Sequence, residues 1–158
     1  MLFALGLILV LCFGLVIFFG APYLPALKNQ KLAALELLSL KPGQTMLELG
    51  SGDGRVLKAA AERGIYAVGY ELNPVLILVS RLVTLKQRHR VKIIWGNYWT
   101  KDWEKADGIY VFLYTDYMKK LNKKISGMGK KIKLVSVTFK IPGKKPIKEK
   151  EGVFLYQY

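Results

Sequence analysis

The chain is nearly devoid of cysteine and histidine. Cys12 is the only thiol and His89 the only imidazole among 158 residues. A single cysteine excludes a disulfide within the chain and any cysteine-based metal site. A single histidine excludes a histidine metal cluster and a Ser-His-Asp system. His89 stands in Lys86-Gln87-Arg88-His89-Arg90, the polar end of an expected helix, and reads as a surface residue. Acids are scarce too: 11 Asp and Glu face 25 Lys and Arg, for a net charge of +14. The first 27 residues carry no charged side chain at all.

That last absence has a positive counterpart. Residues 1–20 are almost wholly apolar, and a helix of ~20 such residues spans the ~30 Å hydrocarbon core of a bilayer. No Lys or Arg precedes the run, unlike a secretory signal peptide. No polar face interrupts it, unlike a soluble helix. The expectation is a transmembrane anchor over 1–20, a linker and short helix over 21–44, and a catalytic domain over 45–158. Lys28 and Lys31 follow the apolar run, so the positive-inside rule places the domain on the cytoplasmic or matrix side. Residues 119–158 hold twelve lysines against Glu149 and Glu151. They read as a solvated surface, or as a patch that adheres to the anionic headgroups of the lipid bilayer. No nucleic acid is expected as a partner, because no recognised nucleic-acid module accompanies the charge.

Past the prolines at 22 and 25, which stop a helix, residues 26–39 show helical spacing of apolar positions. Strands are predicted over 45–50, 66–72, 91–97, 108–114, 132–139 and 153–158. Helices are predicted over 54–63, 74–88 and 116–126. Pro74 suits a first helical turn. Alternating strands and helices with nearly continuous apolar strands predict a doubly wound α/β sheet of Rossmann-like type. The last two strands lack a helix between them, which predicts an antiparallel return.

The chemistry concentrates where the first strand ends. Leu47-Glu48-Leu49 runs into Gly50-Ser51-Gly52-Asp53-Gly54, and Glu71 follows at the end of the second strand. In such sheets ligands bind beyond the carboxyl ends of the strands. Gly50 and Gly52 let the backbone approach a ligand closely. Glu71 has the acceptor geometry for a ribose diol. A dinucleotide loop also has a later acid, but it needs glycine or alanine at 55, where this chain has Arg55. Glu48 disfavours a pyrophosphate and suits a ligand carrying an ammonium and a sulfonium. The pattern therefore points to S-adenosyl-L-methionine, held by Glu48, Gly50, Ser51, Gly52, Asp53, Glu71, Leu72 and Asn97. Leu72 would pack on the adenine and Asn97 would bond its edge. For Asp53 a second role stays open, as a helix N-terminal charge paired with Arg55. Tyr98 and Trp99 either cover the adenine or belong to the core.

With these residues in view, the chain resembles the small membrane-anchored seven-strand lysine methyltransferases. That family includes the mitochondrial enzymes acting on the ATP synthase c-subunit and on the adenine nucleotide translocase. The resemblance is carried by Pro22-Tyr23-Leu24-Pro25, LELGSGDGRV, GYELNP and GNYW, and it covers about residues 20–142. It implies cofactor roles for Glu48, Gly50, Gly52 and Glu71. For residues 22–25 it implies a role in closing the active site or meeting the substrate; proline chemistry alone reads them as a helix stop. The chain departs from the family pattern at Ala26 and at Leu113-Tyr114-Thr115, where a small or hydroxyl residue and a leucine-proline pair are expected. No Asp/Asn-Pro-Pro-aromatic element follows the fourth strand, which counts against nucleobase and glutamine acceptors.

The resulting expectation is methyl transfer to a lysine amine of a membrane-associated protein. Tyr23, Tyr114 or Asp116 would position the amine or carry its proton. A lipid or small membrane-associated acceptor fits an anchor equally well, and a third reading is a non-catalytic membrane protein with a cofactor-type fold.

Overall fold

A computed structural model describes residues 27–103, 105–129 and 131–158. Seven strands form one mixed sheet in the order β3-β2-β1-β4-β5-β7-β6. They are β1 (Thr45–Leu49), β2 (Tyr66–Glu71), β3 (Val91–Trp95), β4 (Gly108–Val111), β5 (Lys133–Val137), β6 (Lys148–Lys150) and β7 (Val153–Gln157). The first five run parallel, and β7 returns antiparallel beside β5. The helices are α1 (Lys28–Leu38), α2 (Arg55–Glu62), α3 (Pro74–Val83) and α4 (Thr115–Ser126).

Alternation along the strands divides the core between two faces, because successive side chains point to opposite sides. Met46, Ala67, Tyr110, Val135 and Leu155 pack with Leu35 and Leu38 of α1 and with Leu57 and Ala60 of α2. Leu47, Leu49, Ile109, Leu134 and Tyr156 pack with Met118, Leu121 and Ile125 of α4. Asn73 starts α3: its Oδ1 accepts from Val75 N at 2.9 Å, with Pro74 next to it. Such a cap satisfies a helix N–H that has no intrahelical partner.

Three elements differ most from the predicted ones: the strand expected over 108–114 ends at Val111, and the other two are a helix end and an edge strand. The helix expected over 74–88 ends at Val83, and a single 3₁₀ turn follows at Leu85–Gln87. Thr84 Oγ1 donates back to Ser80 O at 2.8 Å, and the polar run beyond it offers no apolar face to bury. Strand β6 was not predicted. All three of its residues are exposed, so no alternation marks it, and only pairing with β7 makes it a strand. Its charged side chains protect an open sheet edge.

The described residues between β3 and β4 form turns rather than a crossover helix. Tyr98, Trp99 and Trp103 cover the α4 face of the sheet there. Lys124 ties this loop down: its Nζ donates to Tyr98 O, Trp99 O and Lys101 O at 3.4, 3.2 and 3.1 Å. A cavity of about 350 Å³ lies under the loop, lined by Leu47, Trp103, Lys105, Ala106, Ile109, Met128 and Ile132. None of these is a predicted site residue.

No helix among the described residues is long and apolar enough to cross a membrane. The span expected over residues 1–20 and Tyr23 lie outside the described residues.

Candidate active site

The turn after β1 is built by the sheet itself. Gly50 N and Ser51 N both donate to Tyr70 O at 2.9 Å, which pins the loop to β2. Gly50 has φ +87, and a Cβ there would meet nothing within 4 Å. The backbone is thus exposed to a ligand at a position that only glycine takes without strain. Gly54 serves a different purpose. A Cβ on it would collide with Ser80 Oγ, so its absence lets the start of α2 press against α3.

Ser51 turns inward. It is buried and its Oγ has no hydrogen-bond partner among the described residues. It covers Gly69 of β2, where a Cβ would come within 2.7 Å of the Ser51 Cβ. Asp53 pairs with Arg55: Nε and Nη2 donate to Oδ2 at 2.9 and 2.7 Å, and Arg55 N donates to Oδ1 at 3.1 Å. This is the helix-terminal ion pair that the sequence left open. It also uses the Arg55 N–H, and Gly54 N is used by Ser51 O. Two of the N–H groups that open α2 are therefore taken up within the loop, which leaves fewer for an anion there.

Glu71 accepts three backbone hydrogen bonds. Oε2 accepts from Gly52 N, and Oε1 accepts from Leu72 N and Asn73 N, each at 2.8 Å. A carboxylate has about four acceptor positions, so about one remains for a ligand hydroxyl in this arrangement. The carboxylate also holds the glycine loop to the end of β2.

Glu48 is the opposite case. Only 4% of it is exposed, and Oε2 has no hydrogen-bond partner among the described residues. Burial pushes its carboxyl well above the usual range, and the Asp53 and Glu71 charges add to the shift. Its neighbours across the sheet are Gly69 and Tyr110. The Tyr110 hydroxyl is likewise buried and without a partner. Burial raises its pKa, with the Glu48 charge contributing. An orphaned carboxylate oxygen beside two further acids suits a cationic ligand with N–H donors, because burial without a partner is costly.

The remaining predicted residues lie along the same carboxyl edge of the sheet. Leu72 is half-buried, and its carbonyl accepts from Trp95 Nε1 at 3.1 Å. Asn97 Oδ1 accepts from Trp99 N at 2.9 Å, so its side-chain oxygen shapes the turn after β3. Tyr98 and Trp99 are half-buried against the α4 face, and Trp99 stacks on Tyr117 with ring centroids 6.2 Å apart. Tyr114 caps α4 and packs on Phe139 at 5.2 Å. Asp116 is exposed in the first turn of α4.

Sequence reasoning missed Tyr110, Trp95 and Thr138. Tyr110 is hidden in an apolar strand and becomes a site residue only through its register with Glu48. Thr138 holds φ +66 at the end of β5, with its hydroxyl accepting from Gln30 Nε2 at 3.3 Å. That backbone is strained for a β-branched residue, and no sequence pattern signals it.

The family described as the ANTKMT methyltransferase domain matches residues 48–148. The chain belongs to this family. The match begins at Glu48 and takes in the glycine loop, Glu71, α4 and β5. The "Protein-lysine N-methyltransferase" of Saccharolobus islandicus is 30% identical over 149 residues, covering 85% of this chain and 92% of that protein. The ATP synthase c-subunit lysine N-methyltransferase of Xenopus laevis is 34% identical over 106 residues, covering 66% of this chain and 46% of that protein. The chain spans about half the length of such animal relatives. Among solved structures, an RNA methyltransferase from Salinibacter ruber in complex with S-adenosyl-L-homocysteine superposes with a TM-score of 0.77. It is 25% identical, covering 85% of this chain and 92% of that one. The family's Rossmann-like methyltransferase fold is thus the fold of this chain.

Proposed function

We propose that this chain is an S-adenosylmethionine-dependent methyltransferase that methylates a lysine amine of a membrane-associated protein. The observation that carries the reading is the buried Glu48 carboxylate, whose Oε2 has no hydrogen-bond partner among the described residues, beside a glycine loop held by Glu71. When bound, S-adenosylmethionine supplies an electrophilic methyl group for in-line transfer to the acceptor nitrogen. The chain's residues then have separable tasks. Glu48 receives the ammonium end of the ligand, Gly50 admits its backbone-facing edge, and Glu71 accepts from a ribose hydroxyl. Leu72 and Asn97 bound the adenine, and Ser51 and Asp53 hold the loop in shape. Tyr114 and Asp116, at the carboxyl side of β4, and Tyr23 position the amine. The acceptor lysine must lose its proton to attack, and a desolvated pocket lowers its pKa.

The relatives named as lysine methyltransferases support the acceptor class. The charge-free residues 1–20 support a single-pass anchor with the domain on the cytoplasmic or matrix side. An RNA acceptor is the second reading, favoured by the net charge of +14 and the Salinibacter ruber neighbour. One experiment separates them. The protein is incubated with membranes, RNA and methyl-labelled cofactor, the fractions are separated, and labelled proteins are mapped by mass spectrometry. Methylated lysine in a membrane protein is expected. Label confined to RNA or to lipid would reject the lysine reading.

A further inference from the structure

Helix α3 turns an unusual face outward. Leu78, Leu82 and Leu85 are 61%, 65% and 56% exposed, and Trp95 on edge strand β3 is 66% exposed. Positions 78, 82 and 85 follow i, i+4, i+7 spacing, so they form one stripe along α3 and the 3₁₀ turn. Single exposed leucines need no explanation, but a contiguous group of large apolar side chains marks an interaction surface.

The charge around the stripe has one sign. Arg81, Lys86, Arg88 and Arg90 are exposed beside it, and residues 72–101 contain no Asp or Glu. The partner must therefore offer apolar depth and negative charge together. A second copy docking through the same face would bring these cations against themselves, since a two-fold interface pairs a patch with its own image. Leucine and tryptophan on one face with Lys and Arg flanking them is the composition of helices that lie in the headgroup region of a bilayer. Exposed Trp favours that same depth.

We propose that α3, the 3₁₀ turn and Trp95 form a docking face that seats this edge of the domain in an anionic lipid surface. Trp95 Nε1 donates to Leu72 O, and Leu72 follows Glu71. The docked face therefore sets the rim of the carboxylate site at the membrane surface, within reach of an acceptor at headgroup depth. The inference goes beyond methyl transfer and does not rest on it, nor on residues 1–20 spanning a bilayer.

The test uses the full chain with Cys12→Ser, carrying a polarity-sensitive fluorophore at Leu82→Cys or, as a control on the opposite face, at Lys123→Cys. Each protein is reconstituted into vesicles of phosphatidylcholine alone or of equimolar phosphatidylcholine and phosphatidylglycerol. A cooperative thermal melt by circular dichroism is recorded on every sample to show that the domain is folded. The label at 82 should shift to the blue and be quenched by nitroxide lipid in anionic vesicles, while the label at 123 should do neither. Arg81→Glu with Arg88→Glu should remove most of that quenching, because each basic residue near an anionic surface is worth roughly fivefold in partitioning. A folded protein whose label at 82 behaves like that at 123 would overturn the proposal. So would an equal response in neutral vesicles, a concentration-dependent shift without lipid, or a shift that requires an added membrane protein.

Discussion

Replacing Glu48 with Gln removes the charge of a buried carboxylate while keeping its size. In the folded chain the Glu48 carboxyl is raised well above its ordinary value of 4.5, first by burial and then by the Asp53 and Glu71 charges. Unfolding returns it to the ordinary value. Between those two values the folded chain holds a proton that the unfolded chain has released. Stability is therefore full below the ordinary value and falls as pH rises through the window up to the folded pKa. Leaving a buried polar group unsatisfied costs about 1–3 kcal/mol. At ~2–4 °C per kcal/mol for a chain of this size, that is roughly 2–12 °C of melting temperature. Ligand-free wild type should lose this much relative to Glu48→Gln as pH rises above the ordinary carboxylate range. Ligand binding should move the other way. A charge-assisted hydrogen bond contributes about 1.5–3 kcal/mol, so Glu48→Gln should bind S-adenosylhomocysteine roughly 10- to 150-fold more weakly. Wild-type affinity should itself improve as pH rises and Glu48 ionises. Thermal melts across pH and calorimetric titration read the two effects separately. Parallel melting curves, or equal affinities, would refute the placement of a charged, ligand-accepting carboxylate at this position.

Other expectations follow from the same geometry. Glu71→Gln turns an acceptor of three backbone N–H bonds into a group that must also present donors; calorimetry should show at least a tenfold loss of affinity, at about 1.4 kcal/mol per decade, with faster amide exchange at Gly52. Gly54→Ala drives a Cβ into Ser80 Oγ at φ +79 and should destabilise the fold by about 1–3 kcal/mol, read by denaturant unfolding. Lys124→Met removes the ammonium that holds three carbonyls of the β3–β4 loop. Hydrogen exchange should rise over residues 97–101 at a stability loss of about 1 kcal/mol, while the glycine loop stays protected.

Much of this architecture is legible along the chain because it depends on near neighbours. The apolar runs of β1, β2 and β4, the Pro74 helix start and the spacing from the glycine loop to Glu71 reflect periodicity and local backbone preference. The antiparallel return of β7 is legible for the same reason: prolines and glycine replace a crossover helix. The ends of elements were less legible. Helix α3 gives way to a 3₁₀ turn after Val83, and β6 exists only by pairing with β7.

The order of residue types at the loop is written along the chain: an acid, three glycines and a second acid at the end of the next parallel strand. The surroundings of each of them come from contacts between distant parts of the chain. Strand register places Glu48 between Gly69 and Tyr110, which buries its carboxylate and leaves Oε2 without a partner among the described residues. Proximity after folding gives Glu71 to three backbone N–H groups and Asp53 to Arg55. The stripe on α3 was readable as helix-forming leucines, but its exposure was not, because periodicity marks an apolar face without saying what covers it. Burial and hydrogen-bond satisfaction depend on which distant strands and helices become neighbours, and those contacts have no fixed spacing along the chain.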